Sequence, residues 1–256
     1  MLGGISLIAA VVIFLLLTFS EQLAGYVPFS AEKKLADHMQ QQLKVDEQHA
    51  FQPYLQQLGE HIAAVSDLPE DMTISVHYAD NDTVNAFATL GGHIVVFRGL
   101  IEQMPNENAL AMVLAHEIAH IKHRHPIKAL GRSVVLGAAL AVFDLSAGSD
   151  MASRTLGDMG LLTILSFNRE QERQADETAL SAIYQLYGHV AGADSVFKRF
   201  GELEGSHITP ELFNSHPYSE NRRSAIEALA KKQAWPITGS LAPLPALGSS
   251  MNSEIE

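Results

Sequence analysis

Two histidines and a glutamate stand as His116-Glu117-Ile118-Ala119-His120 within an otherwise apolar stretch. This spacing is the strongest constraint in the chain. On an α-helix, residues four apart lie about 6 Å from one another on one face, whereas on a strand they are about 13 Å apart. The segment Asn106 to His123 reads as such a helix, with Asn106 after Pro105 suited to the N-cap and Pro126 marking the end. Both imidazoles can then reach one zinc ion, and Glu117 stands beside the open coordination position as a general base for hydrolysis. A bare H-E-x-x-H arises by chance in about one chain in a hundred of this length, but here the flanks are apolar and uninterrupted by proline.

A catalytic zinc site needs a third protein ligand and a water. The residues after His120 run Ile121-Lys122-His123-Arg124-His125-Pro126 and lack the Gly and His of the metzincin extension, so a distant ligand is required. The acidic candidate lies in Asn168 to Asp176, where Glu172 and Asp176 share a helical face. Glu172 could ligate while Asp176 holds the far nitrogen of a ligand histidine. The same residues also suit a solvated charged helix, and spacing alone leaves both readings open.

Composition narrows the chemistry further. Seventeen Lys and Arg against 29 Asp and Glu give a net charge of −12, the wrong sign for a phosphate backbone, so nucleic acid is excluded as a partner. Without cysteine there is no disulfide, no thiolate cluster and no cysteine nucleophile. The stretch Ile5 to Phe19 is apolar, and residues 1–20 carry no charged side chain. They are expected to form a membrane-crossing helix, with a cleaved signal ending near Thr18-Phe19-Ser20 as the rival.

The 256 residues suit one domain with an appendage, here expected at 21–234. Apolar residues recur at helical intervals from Ala31 to about Ser66. Alternating, β-branched segments at Met72–Tyr78, Val84–Thr89 and His93–Arg98 predict a small antiparallel sheet of about three strands, the last two joined across Leu90-Gly91-Gly92. Helices are expected over roughly 127–145, 152–186, 188–204 and 219–232. The Pro-, Gly- and Ser-rich tail, 235–256, is expected to be disordered. The fold class is therefore α+β, mostly α. His123 and His125, at the end of the helix, read as structural or solvated.

His116-Glu117-x-x-His120 followed by Asn168-Arg169-x-x-Glu172-x-x-Ala175-Asp176 resembles the HtpX and CaaX-prenyl-protease family of gluzincin metallopeptidases. Asn85-Ala86-Phe87-Ala88 with Gly91-Gly92-His93-Ile94 is similar to the family's strand pair, and Ser215-His216-Pro217 with Arg222 to its C-terminal segment. The resemblance implies a zincin-like domain with one Zn2+ on His116, His120 and Glu172, Glu117 as base and Asp176 as support. It implies that His216 stabilises an oxyanion or caps the metal, and that Asn85, Ala86, Gly92, His93 and Arg222 bind substrate. The strand His93–Arg98 is a candidate edge for strand addition, or a plain structural strand. Integral-membrane members carry extra spanning helices, so this chain is more similar to bacterial single-anchor members. The expectation is a single-pass inner-membrane endopeptidase facing the periplasm, acting on proteins in envelope quality control or maturation. A chaperone or assembly factor with latent activity is the alternative, while a structural zinc site would call for a closed, Cys-rich ligand set.

Overall fold

The computed structural model describes residues 11, 14–16, 19, 20, 22–40, 45–135, 166–204, 211, 212, 216 and 220–247. Its longer helices are α1 (Phe29–Gln40), α2 (Gln52–Val65), α3 (Glu107–Lys122), α4 (Arg169–Tyr187), α5 (Ala193–Glu204) and α6 (Glu220–Lys232); residues 22–25 and 125–135 are helical as well, and Arg98–Ile101 form a single helical turn. The strands are β1 (Ser75–Ala79), β2 (Ala86–Ala88) and β3 (His93–Phe97).

Helix α3 is the centre of the molecule. Its side chains are buried from Asn108 to Ile121, with Ala, Leu, Met, Val and Ile on every face, as suits a helix enclosed on all sides. Asn106 caps it, its side chain accepting from Ala109 N–H at 2.9 Å. Helices α2, α4 and α5 and strand β2 all lie against it. Helix α4 begins with a full capping box between Asn168 and Gln171 and ends at Gly188, whose φ of 73° suits glycine.

The sheet has the order β1-β3-β2 and is mixed, correcting the expected antiparallel sheet. β2 and β3 form the antiparallel hairpin, whereas β1 runs parallel to β3 with Ser75 opposite His93. The reason lies in β3, whose consecutive Ile94, Val95 and Val96 are all buried, a pattern that needs a strand covered on both edges and both faces. Ile94 and Val96, with Val76, Tyr78, Ala86 and Ala88, face the main core, while Val95, Ala79 and Phe87 form a second cluster on the other face. As the central strand, β3 has no free edge, and strand addition at His93–Arg98 is ruled out. Between β2 and β3, Gly92 has φ +88°, and a Cβ there would overlap the carbonyl of Thr73.

Helix α1 braces that turn. Its buried Glu32 accepts from Gly91 N–H at 3.1 Å and pairs with Arg124 at 2.7 Å, tying the turn to the end of α3.

The tail also departs from expectation. Residues 235–247 lie ordered along the molecule: Pro236 and Ala242 carbonyls accept from Val190 and Glu107 N–H, and Trp235 stacks on Tyr184 at 5.0 Å. Proline and glycine keep this segment extended, and Leu244 and Leu247 give it apolar contacts with the core. The rest of the tail, 248–256, lies outside the described residues.

So does most of the expected anchor. Of residues 1–20, those described are helical, with Phe14, Leu15, Leu16 and Phe19 exposed. Among the described residues, no helix is long and apolar enough to cross a membrane.

Candidate metal centre

The spacing of His116 and His120 on α3 does what helical geometry demands, bringing their Nε2 atoms to 3.0 Å. Helix α4 crosses α3 at this level and contributes Glu172, whose carboxylate oxygens stand 3.4 Å from His116 Nε2 and 3.5 Å from His120 Nε2. Bonds of about 2.0–2.2 Å to a tetrahedral metal put neighbouring ligand atoms roughly 3.3–3.6 Å apart, so the two imidazoles and the Glu172 carboxylate are close enough to share one such ion. A fourth residue joins them. His216 Nδ1 lies 3.2 Å from His116 Nε2 and 2.9 Å from Glu172 Oε1, and all four side chains are buried. Converging lone pairs out of water call for a cation, and the donor set of imidazoles and a carboxylate suits a divalent metal.

The surrounding charges keep both carboxylates ionised and act on the two imidazoles in opposite directions. His116 Nδ1 lies 3.0 Å from Asp176 Oδ1. Arg222 reaches Asp176 with two nitrogens at 2.8 Å and Glu172 Oε2 with a third at 2.8 Å. Burial works against charge on both carboxylates, but Arg222 and His116 hold Asp176 below the ordinary carboxylate range, and His216 and His116 hold Glu172 well below it. His116 is lifted to about 9, since Asp176 and Glu172 outweigh its burial. His120 goes the opposite way: burial, then the neighbouring His116, push it well below its usual value.

Glu117 is buried on the same helix. Its Oε2 accepts from Ala88 N–H on β2 at 2.7 Å, and its Oε1 has no hydrogen-bond partner, standing 3.4 Å from His216 Nε2. Burial raises its carboxyl above the ordinary range, opposed by His216, His116 and the Ala88 N–H. A cavity with about 430 Å3 of empty space opens beside it, walled by Met112, Val113, Val196, Phe197, Phe200 and Leu212.

The remaining expected site residues divide. Asn85 and Ala86 lie at the start of the edge strand that holds Glu117. Arg222 is engaged with Glu172 and Asp176, placing it behind the ligands as their counter-charge. Gly92 sits in the turn against Thr73 and Phe29. His93 is turned to the sheet face away from α3, its Nδ1 2.9 Å from His77 Nε2. Sequence reasoning missed His125, which is 1% exposed with its Nδ1 2.9 Å from His120 Nδ1. The available signal was a further histidine five residues after His120, but the turn at His123 and Arg124 that folds it back was not readable.

A mostly helical domain with a small sheet, an H-E-x-x-H helix and a glutamate supplied by a second helix defines a zincin-like metallopeptidase site. The Peptidase family M48 model matches residues 49–230, and the chain belongs to that family. Among its relatives, the mitochondrial metalloendopeptidase OMA1 of Schizosaccharomyces pombe is 34% identical over 184 residues, covering 70% of this chain and 53% of that protein. The beta-barrel assembly-enhancing protease of Escherichia coli is 33% identical over 155 residues, covering 56% of this chain and 31% of that one. Metalloprotease LoiP of Escherichia coli is 33% identical over 148 residues, covering 56% and 57%. The chain thus spans between about a third and just over half of the length of these curated relatives.

Replacing Asp176 by Asn keeps the shape but removes the carboxylate that fixes His116. Metal affinity of the full chain, titrated against a chromogenic chelator, is expected to fall about 10- to 100-fold. Unchanged affinity would show that Asp176 does not support the ligand.

Proposed function

We propose that this chain is a membrane-anchored zinc endopeptidase that hydrolyses peptide bonds of proteins in the bacterial envelope. The observation that carries the reading is Glu117, buried with one oxygen held by Ala88 and the other unpartnered beside the three ligand atoms. His116, His120 and Glu172 would hold the zinc, which when bound would supply Lewis acidity to the scissile carbonyl and lower the pKa of water.

The protein's own part is proton handling and placement. Glu117 Oε1 takes a proton from water, and its raised proton affinity helps it deliver that proton to the leaving amine. Ala88 N–H keeps the carboxylate from rotating away. Arg222 and Asp176 hold Glu172 and His116, and the apolar cavity beside Glu117 offers room for a substrate side chain. His216 stands as a fourth group of the cluster, the position a water or substrate oxygen needs, and we assign it as a resting-state cap.

Anchoring is supported by the apolar run Ile5–Phe19 and by the exposed Phe14, Leu15, Leu16 and Phe19. Envelope quality control or maturation, with the domain in the periplasm, is supported by the bacterial relative named for beta-barrel assembly.

Purified full-length protein is expected to hold one zinc by mass spectrometry and to cleave casein until chelated, and Glu117→Gln to keep zinc while losing turnover. Zinc without cleavage by either protein would move the reading to a chaperone or assembly factor, and no zinc would overturn the site. In the same assay His216→Ala should cleave faster with its zinc retained; slower cleavage would assign His216 to oxyanion stabilisation instead. Protease added outside intact spheroplasts should digest the domain, and protection would place it in the cytoplasm.

A further inference from the structure

Metal ligation by His120 requires a bare Nε2 aimed at the centre, and two choices could spoil it. A neutral imidazole carries its proton on either nitrogen, and a half-turn of the ring exchanges nitrogen positions for carbon positions. Phe167 stacks on His120 with centroids 3.9 Å apart and planes 21° apart. Stacking fixes the ring's plane, but a half-turn within that plane leaves the stack unchanged. Nothing within H-E-x-x-H settles either choice.

A chain of contacts from α4 does. Glu170, paired to Arg173 at 2.6 Å, is a carboxylate and can only accept, so Gln174 donates to it through Nε2 at 3.0 Å. That contact turns Gln174 Oε1, an acceptor, toward His125 Nε2 at 3.4 Å. His125 Nε2 therefore carries the hydrogen and its Nδ1 is bare. Two nitrogens 2.9 Å apart bond only if one has a proton, so His120 must present Nδ1–H to His125 Nδ1. His120 Nε2 is then the bare nitrogen, and it is the one that faces His116 and Glu172. Each member has one remaining choice once the one before it is set.

We propose that Glu170, Gln174 and His125 are positioning residues, a directional hydrogen-bond relay that selects the tautomer and ring orientation of His120 and holds its Nε2 ready for the metal. The inference rests on reading His116, His120 and Glu172 as the ligands. The outer nitrogen of His116 instead stands 3.0 Å from the Asp176 carboxylate, so the two histidines of one motif face different outer groups. His125 is buried behind the ligand, and its part is exerted through His120 alone.

The test uses full-length protein and Zn2+ in competition with a chromogenic chelator. His125→Ala should weaken zinc binding about 10- to 100-fold, the usual effect of removing a group that orients a ligand histidine. His125→Asn restores an acceptor near the place of Nδ1 and should bind zinc several-fold more tightly than His125→Ala. Equal loss in both variants, or native affinity in His125→Ala, overturns the relay. A second measurement needs no variant: the imidazole 15N spectrum of the zinc-loaded wild type should show His125 protonated at Nε2 and His120 at Nδ1. A His125 protonated at Nδ1 overturns the proposal. Zinc binding without casein hydrolysis would defeat the peptidase reading and leave this one standing, whereas a wild type that binds no zinc defeats both.

Discussion

The structure depends on holding two imidazole nitrogens and a carboxylate within 3.5 Å of one another, out of water. Buried polar atoms without partners are costly, and like atoms facing each other more so. The surrounding protein is arranged to make that cluster persist. Asp176 and His125 take the outer nitrogens of His116 and His120, and Arg222 offsets the negative charge of Glu172 and Asp176. Removing one member of a buried charged set of this kind costs about 3–5 kcal/mol, because its partner is left uncompensated.

The fold serves as the frame for that cluster. Helix α3 is enclosed along its whole length, so its two histidines cannot shift without disturbing the core. Helix α4, which makes the most extensive contact with α3, carries Glu172, Asp176 and the far end of the hydrogen-bond relay on one element. The sheet contributes through β2, whose Ala88 N–H points away from β3 and restrains Glu117. Helix α1 in turn braces the β2–β3 turn through Glu32.

Much of the site was legible from local periodicity. His116 and His120, and likewise Glu172 and Asp176, are pairs one helical turn apart, and their meeting needs only the 3.6-residue repeat. Asn106 was similarly open to reading as a cap, whereas the cap at Asn168 fell inside a longer expected helix. Where long-range pairing decided the matter, reading from residues went astray. Alternation could show that Met72–Tyr78 and His93–Arg98 prefer extended backbone, but parallel and antiparallel partners present the same alternation. His93 consequently faced the wrong side of the sheet, and Arg222 proved to be a counter-charge. The tail misled through composition, since proline and glycine favour an extended chain whether or not leucines dock it onto a core.

By itself the amino-acid sequence determined the chemistry that each helix could present: two imidazoles and a base on α3, two carboxylates on α4, and no thiol to compete with them. These follow from spacings of four residues or fewer, over which backbone geometry leaves little freedom. Tertiary structure alone decided how closely Glu172 approaches the histidines, that His216 lies 3.2 Å from His116 across a separation of 100 residues, and that His125 folds back onto His120. Those contacts depend on how apolar faces of distant helices meet and on a turn whose direction no local pattern encodes, so they exist only once the core has formed.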